Sequence, residues 1–214
     1  MQREIQPELL DSLSPDHPDA IHNRRDLRLT NRFMGNFRWF ARSLPPRLWA
    51  GDRVLEIGAG TGELGVKLGE RGLAVDGLDL WPRPDFWPAE SEWHRADLLA
   101  FEDYGRYSVV MGNLIFHQFS PKELGELGRK LSGSVRLIMA SEPARSRLSQ
   151  VFFARVAPLL GANHVSLHDA HVSIAAGFQA EELPQLLGLS PVEWEWRCQS
   201  TTFGAYRMIA VRRP

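Results

Sequence analysis

Val54-Leu55-Glu56-Ile57-Gly58-Ala59-Gly60-Thr61-Gly62-Glu63-Leu64-Gly65 is the stretch that decides the fold of this 214-residue chain. Arg53 to Ile57 is a short apolar, partly β-branched run and reads as a buried strand. Glycines then interrupt the pattern, and a helix-like stretch from Glu63 to Gly72 follows. Glycine permits tight dihedrals, and a helix N-terminus carries N–H groups without partners. Together they make a turn against which a ligand can lie on bare main chain. Nineteen residues after Gly60, at the end of the next apolar run (Leu73 to Leu80), stands Asp79. A carboxylate at that place accepts hydrogen bonds from ribose hydroxyls.

The same alternation continues outward. Trp93 to Leu98, Tyr107 to Phe116 and Val135 to Ala140 read as further strands. Ser120-Pro121-Lys122-Glu123 reads as a helix start, with Ser as cap, Pro at the first helical position and Glu three after the cap. Helices are expected over Arg145 to Leu160 and Ala180 to Leu187. Val192 to Arg197 alternates apolar and charged residues, and Tyr206 to Val211 is its expected partner, with no helix between them. The predicted fold is therefore α/β: a doubly wound, seven-stranded, mostly parallel Rossmann-like sheet ending in an antiparallel hairpin. Before it lies an N-terminal extension. Residues 1 to 20 carry Pro7, Pro15 and Pro18 and read as an irregular arm. Leu27, Leu29, Phe33, Met34, Phe37, Phe40 and Leu44 recur at helical steps, predicting an amphipathic helix broken at Gly35 and ended by Pro45-Pro46. The expected division is 1–46 (arm and lid helix) and 47–214 (the sheet domain).

Composition narrows the function classes. The chain has 25 Lys+Arg against 26 Asp+Glu, so a nucleic-acid binder relying on a dense basic surface is disfavoured. One cysteine, Cys198, rules out an internal disulfide and a Cys-rich zinc cluster. The longest apolar runs fall short of a bilayer span, and the N-terminus is acidic and polar rather than leader-like. A soluble cytoplasmic protein with no membrane partner is expected, as monomer or homodimer.

Two cofactor classes use the glycine turn. Dinucleotide folds prefer G-x-G-x-x-G, but here the third glycine, Gly62, comes one place early. Glu63 stands where a pyrophosphate would sit, and Glu56 suits a cationic cofactor better than a phosphorylated one. E-x-G-x-G-x-G after the first strand, Asp79 ending the second, Asp97 ending the third and Asn113-Leu114 after the fourth resemble class I S-adenosylmethionine-dependent methyltransferases, over roughly Leu48 to Pro214. The resemblance implies that Gly58, Gly60 and Gly62 line the methionine and ribose portion and that Asp79 takes the ribose hydroxyls, with Leu80 against adenine. It implies further that Asp97 accepts from the adenine amino group beside Leu98, and that Asn113 and Leu114 border the sulfur. Asn113 to Phe119 (NLIFHQF), Glu142-Pro143-Ala144-Arg145 and His168 to Phe178 (HDAHVSIAAGF) are similar to small bacterial methyltransferases found beside type III polyketide synthases. That likeness implies a phenolic or quinol oxygen as acceptor.

A phenol titrates near 10 and must lose its proton, and histidine is the natural base near neutral pH. His117, just past the fourth strand, is one candidate, with a cap or packing role as its alternative. His168, Asp169 and His171 form a second cluster, with a surface loop as theirs. No metal site is expected among them. Arg32 is a candidate for the cofactor carboxylate, since arginine binds carboxylates as a fork. Phe33, Phe37, Trp39 and Phe40 are expected to roof the acceptor pocket. Asn113-Leu114-Ile115-Phe116 lacks the proline pair of amino-methylating DNA enzymes, and Cys198 follows Arg197 rather than proline, so a small molecule remains as substrate. The competing functions are an NAD(P)-dependent oxidoreductase and a catalytically silent S-adenosylmethionine-binding protein.

Overall fold

The computed structural model describes residues 1–14 and 16–214. Seven strands form one sheet in the order β3-β2-β1-β4-β5-β7-β6. β1 (Val54–Ile57), β2 (Asp76–Asp79), β3 (Trp93–Arg95), β4 (Val109–Asn113) and β5 (Leu137–Pro143) run parallel. β7 (Ala205–Arg212) is antiparallel to both β5 and β6 (Trp194–Ser200). This is the doubly wound sheet with a terminal hairpin that the sequence predicts. The strand order reverses beside β1, between β2 and β4, and open α/β sheets bind ligands at the carboxyl ends of the strands at such a point.

The helices are α1 (Pro18–Met34), α2 (Asn36–Ser43), α3 (Glu63–Gly69), α4 (Pro121–Ser132), α5 (Arg147–Val156), α6 (His164–Ala176) and α7 (Glu182–Leu186). On one face of the sheet, Trp39, Phe40 and Leu44 from the α2 region and Leu64 and Leu68 of α3 pack on Val54, Val109, Met111, Leu137 and Met139. On the other face, Leu124, Leu127 and Leu131 of α4 and Leu183 of α7 pack on Leu55, Ile57, Val110 and Ile138. β1, β4 and β5 are covered on both sides, which explains their unbroken apolar text. α4 begins with the expected capping box between Ser120 and Glu123. Among the described residues no helix is long and apolar enough to cross a membrane.

A loop rather than a helix joins β2 to β3, as the proline- and tryptophan-rich text of Trp81 to Pro88 predicts; Pro82, Pro84 and Pro88 oppose a helix, and buried Trp87 fills the space, edge-on to Trp93 at 4.8 Å. Several expectations are corrected. α1 starts at Pro18, inside the stretch expected to be irregular, because His17 caps it by accepting from the Asp19 N–H. The helical run breaks at Gly35 as predicted, with φ 68°. Its apolar stripe does not face inward throughout: Leu27, Leu29 and Phe33 are exposed, whereas Asn23 and Asp26 are buried. Those two polar residues bond across to α6, Asn23 to Asp169 at 3.2 Å and Asp26 to Ser166 at 2.7 Å, so hydrogen bonding rather than apolar burial fixes that part of the helix. The His168–His171 segment is not a loop but the middle of α6, whose apolar residues are spread around the helix and leave no stripe to read.

Candidate functional site

The turn after β1 is built by left-handed glycines. Gly58, Gly60 and Gly62 have φ of 62°, 55° and 76°. At Gly58 a Cβ would also lie 2.4 Å from the Ile115 side chain, so the position requires glycine twice over. The next glycine has a different cause: a Cβ on Gly65 would meet Trp87 at 2.4 Å, so that glycine serves packing. Asp79, buried at the end of β2, holds the turn in shape. Its Oδ2 accepts from the Gly60 N–H at 2.7 Å and its Oδ1 from the Trp81 N–H at 2.9 Å. Leu80 beside it is exposed.

Glu56 is buried under the turn. Burial, followed by the nearby Asp79 charge, pushes its carboxyl up to about 8, although the Gly65 backbone hydrogen bond opposes this. Its Oε2 is buried with no hydrogen-bond partner. An orphaned carboxyl oxygen of this kind costs about 1–3 kcal/mol until a donor reaches it. A cationic amino group supplies both the donor and the charge that returns Glu56 to its ionised form.

At the end of β4, Leu114 takes a left-handed conformation, φ 59°, rare for a branched side chain. Its N–H donates to the Ser141 carbonyl at 2.8 Å, which holds it there. Asn113 donates from Nδ2 to Asn31 Oδ1 at 3.0 Å. The same Asn31 oxygen accepts from Asn36 at 3.0 Å, and Asn36 Oδ1 accepts from the Ser141 hydroxyl at 3.0 Å. Asn113 Oδ1 is a second buried oxygen without a partner. Sequence reasoning singled out Arg32 on α1; Arg32 is exposed, and its neighbour Asn31 is the residue that reaches β4. Asp97 is exposed, and its Oδ1 accepts from the Leu99 and Ala100 N–H groups at 2.7 and 3.3 Å, while Leu98 is buried in the core.

His117 is buried between two carboxylates. Its Nδ1 lies 2.7 Å from Glu142 Oε2 and its Nε2 lies 3.3 Å from Glu8 Oε1. Burial opposes charge on the ring, but the bonds to Glu142 and Glu8 outweigh it and push His117 up to about 9. For Glu8 burial likewise acts upward, yet His117 and Ser173 bring it below the ordinary carboxylate range. Glu142 also accepts from the N–H groups of Ile115 and Phe116, both at 3.0 Å, and so shapes the whole β4–α4 connection. Neither glutamate was singled out from sequence as a partner of His117. Glu142 stands in a quoted motif, but Glu8 is 109 residues away, which no local pattern encodes.

The arm that carries Glu8 is strapped to the body. Arg3 donates to the carbonyls of Ala176, His117 and Phe119 at 2.7, 3.0 and 2.9 Å. Asp169 receives the Leu9 and Leu10 N–H groups at 2.7 and 3.1 Å in addition to Asn23. His168 Nδ1 lies 3.1 Å from Asp169 Oδ1. His168 and His171 line a cavity of about 290 Å³ between α5 and α6, together with Phe153 and Ile174. Asp169 and the arm thus join at one place, and His171 also lines a cavity with Met1, Gln2, Glu4 and Gln6 of the arm. Among the described residues no group of three or more His, Cys, Asp or Glu side chains is arranged to hold a metal ion.

No protein-family model and no curated protein sequence matches the chain. Solved structures do. The plantazolicin methyltransferase BpumL in complex with S-adenosylhomocysteine superposes with a TM-score of 0.68 at 13% identity, over 93% of this chain and 92% of that one. The plantazolicin methyltransferase BamL, with a triazolic desmethyl-plantazolicin analogue and S-adenosylhomocysteine, gives 0.72 at 11% identity over 96% and 93%. Human N-acetylserotonin methyltransferase with S-adenosylmethionine gives 0.63 at 12% identity over 95% of this chain but 61% of that one. The chain has the fold of methyltransferases crystallised with S-adenosylmethionine or its demethylated product.

Proposed function

We propose that this protein transfers a methyl group from S-adenosylmethionine to an oxygen of a small phenolic or quinol acceptor. The observation that carries the reading is the buried, unpartnered Oε2 of Glu56 beneath a left-handed glycine turn pinned by Asp79. That pair of carboxyl groups fits a nucleoside bearing a cationic amino acid and does not fit a pyrophosphate. When bound, the sulfonium supplies an electrophilic methyl group. The protein's task is then positioning and exclusion of water.

In this reading Asp79 takes the ribose hydroxyls and Glu56 the ammonium. Leu80 offers an exposed apolar surface to adenine, Asp97 its free oxygen to the adenine amino group, and Leu98 backs that position. Asn113 and Leu114 border the reacting carbon. The cofactor carboxylate is assigned to Arg32. With the cofactor bound, the acceptor oxygen would take the methyl carbon while the carbon–sulfur bond left its electron pair on sulfur, and the phenolic proton would pass to a histidine.

His117 is the base in this reading only after Glu8 withdraws. While both nitrogens are paired, the ring holds its second proton at neutral pH and has no site for another. With Glu8 gone, Nε2 is open and Glu142 still orients the ring. His168, held beside Asp169, is a second candidate base, and His171 belongs to the same helix.

Calorimetry tests the cofactor. S-adenosylhomocysteine is expected to bind in the micromolar range, and NAD to give no heat. Heat from NAD alone would instead make the protein an oxidoreductase. Binding without methyl transfer to a panel of phenols and quinols would leave it a silent cofactor-binding protein.

A further inference from the structure

We propose that the acceptor is a flat aromatic carboxylate, its rings against Phe33, Phe152 and Phe203 and its carboxylate on Arg207. This rests on the methyltransferase reading and names the substrate class of that site.

Phe33 lies near the end of α1, Phe152 on α5 and Phe203 in the turn between β6 and β7. They converge although they are far apart in sequence. The Phe33 ring is edge-on to Phe203 at 5.1 Å and nearly parallel to Phe152 at 6.2 Å. Yet each is exposed, by 52%, 53% and 56%. α5 itself buries no residue and leaves Leu148 and Val151 open as well. An exposed cluster of this kind marks a binding surface rather than a packing remainder.

The floor beside it is charged. Register places Arg207 of β7 opposite Ser141 of β5, and Ser141 opposite Asn113 of β4. Arg207 donates to the carbonyl of Met34, the residue after Phe33, at 2.8 Å and lies over the Trp39 ring at 5.4 Å. Its Nε is buried and has no hydrogen-bond partner. Among the described residues no carboxylate lies within ion-pair distance of it. Burial alone lowers its pKa from the usual value, with no acid to offset it. A guanidinium in that condition is relieved by an anionic oxygen, and by its planar geometry best by a carboxylate.

The spacing fits such a molecule. Arg207 and Asn113 stand two strands apart, about 10 Å at the usual strand separation. Asn113, with its own unpartnered Oδ1, stands where the methyl donor is assigned. An acceptor with its hydroxyl toward Asn113 and its carboxylate toward Arg207 spans that distance, and the bond from Arg207 to the carbonyl of Met34 sets Phe33, and with it Phe152 and Phe203, beside the carboxylate end. A neutral aromatic would satisfy the rings and leave Arg207 as it is.

The test is calorimetry on protein saturated with S-adenosylhomocysteine, using 4-hydroxybenzoate and 6-hydroxy-2-naphthoate against their primary amides. The acids are expected to bind at least tenfold more tightly than the amides. Arg207→Gln is expected to remove that preference, and Phe152→Ala to weaken acid and amide alike. Equal binding of acids and amides, binding of none of the four, or a preference that survives in Arg207→Gln would overturn the inference. Arg207→Met, which keeps the aliphatic stem beside Trp39, takes the place of Arg207→Gln should that variant fail to fold, with the same loss of preference expected and a surviving preference again overturning the inference. Failure of S-adenosylhomocysteine itself to bind would bring down the underlying cofactor reading first, and this inference with it.

Discussion

Replacing Asp79 by alanine is expected to lower affinity for S-adenosylhomocysteine by about 100-fold or more. Two hydrogen bonds from ribose hydroxyls to a buried carboxylate contribute about 1.5–3 kcal/mol each, and about 1.4 kcal/mol is tenfold in affinity. The carboxylate has a second task, since it holds the Gly60 and Trp81 N–H groups. Alanine therefore loosens the turn as well as removing the ribose contact. Asp79→Asn separates the two effects. Its amide oxygen still accepts from one N–H, so the turn is largely retained while the charge is lost, and an intermediate loss of affinity is expected. Titration of both variants against wild type, with thermal melts as the control for folding, checks this. Wild-type affinity in Asp79→Ala would remove Asp79 from the site.

Glu142→Gln is expected to destabilise the fold by about 3–5 kcal/mol, the usual cost of breaking a buried ion pair from one side. In a chain of this length that lowers the melting temperature by roughly 10 °C. Glu142 is wholly buried; one of its oxygens accepts from the Ile115 and Phe116 N–H groups and the other faces the His117 ring and the His117 N–H, so glutamine keeps an acceptor for the first pair but sets an NH2 donor against the second and removes the charge that the ring pairs with. The clamp also predicts a pH dependence. His117 is raised in the folded protein from 6.5 to about 9, so its contribution is fully present below pH 6.5 and is lost as the pH climbs through about 9. The size is about 3 kcal/mol by linkage. Denaturant unfolding of wild type between pH 6 and pH 9.5 should show that decline, and Glu142→Gln should flatten it. Parallel pH profiles for the two proteins would mean that the ring carries no raised charge in the fold.

The fold was readable because its signals are local. The strand, the glycine turn and Asp79 lie within 26 residues, and the capping box at Ser120 names its helix directly. The helix break at Gly35 was equally legible, since a left-handed residue favours glycine. What escaped depends on partners far away in the chain. α6 has no apolar stripe because its buried positions include Ser166 and Asp169, which face α1 and the arm. Leu27 and Leu29 looked like core and are exposed, Trp39 and Phe40 were expected with Phe33 to roof the acceptor pocket and are instead packed in the core, and Asn23 and Asp26 look like surface and are buried. Periodicity reports what is apolar, and here hydrogen bonds decide which side faces in. For the same reason Arg32 stood out by charge, while Asn31, one residue before it, makes the contact to Asn113. Leu114 in a left-handed conformation had no sequence signal, for nothing in a leucine announces it.

A crystal structure of the protein grown with S-adenosylhomocysteine tests the central claim most directly. The account predicts electron density along the Gly58–Gly62 main chain, both ribose hydroxyls within hydrogen-bond distance of Asp79, and the ligand's ammonium on Glu56 Oε2. Density for the sugar anywhere else, or a Glu56 oxygen still unpartnered with the ligand in place, would contradict it.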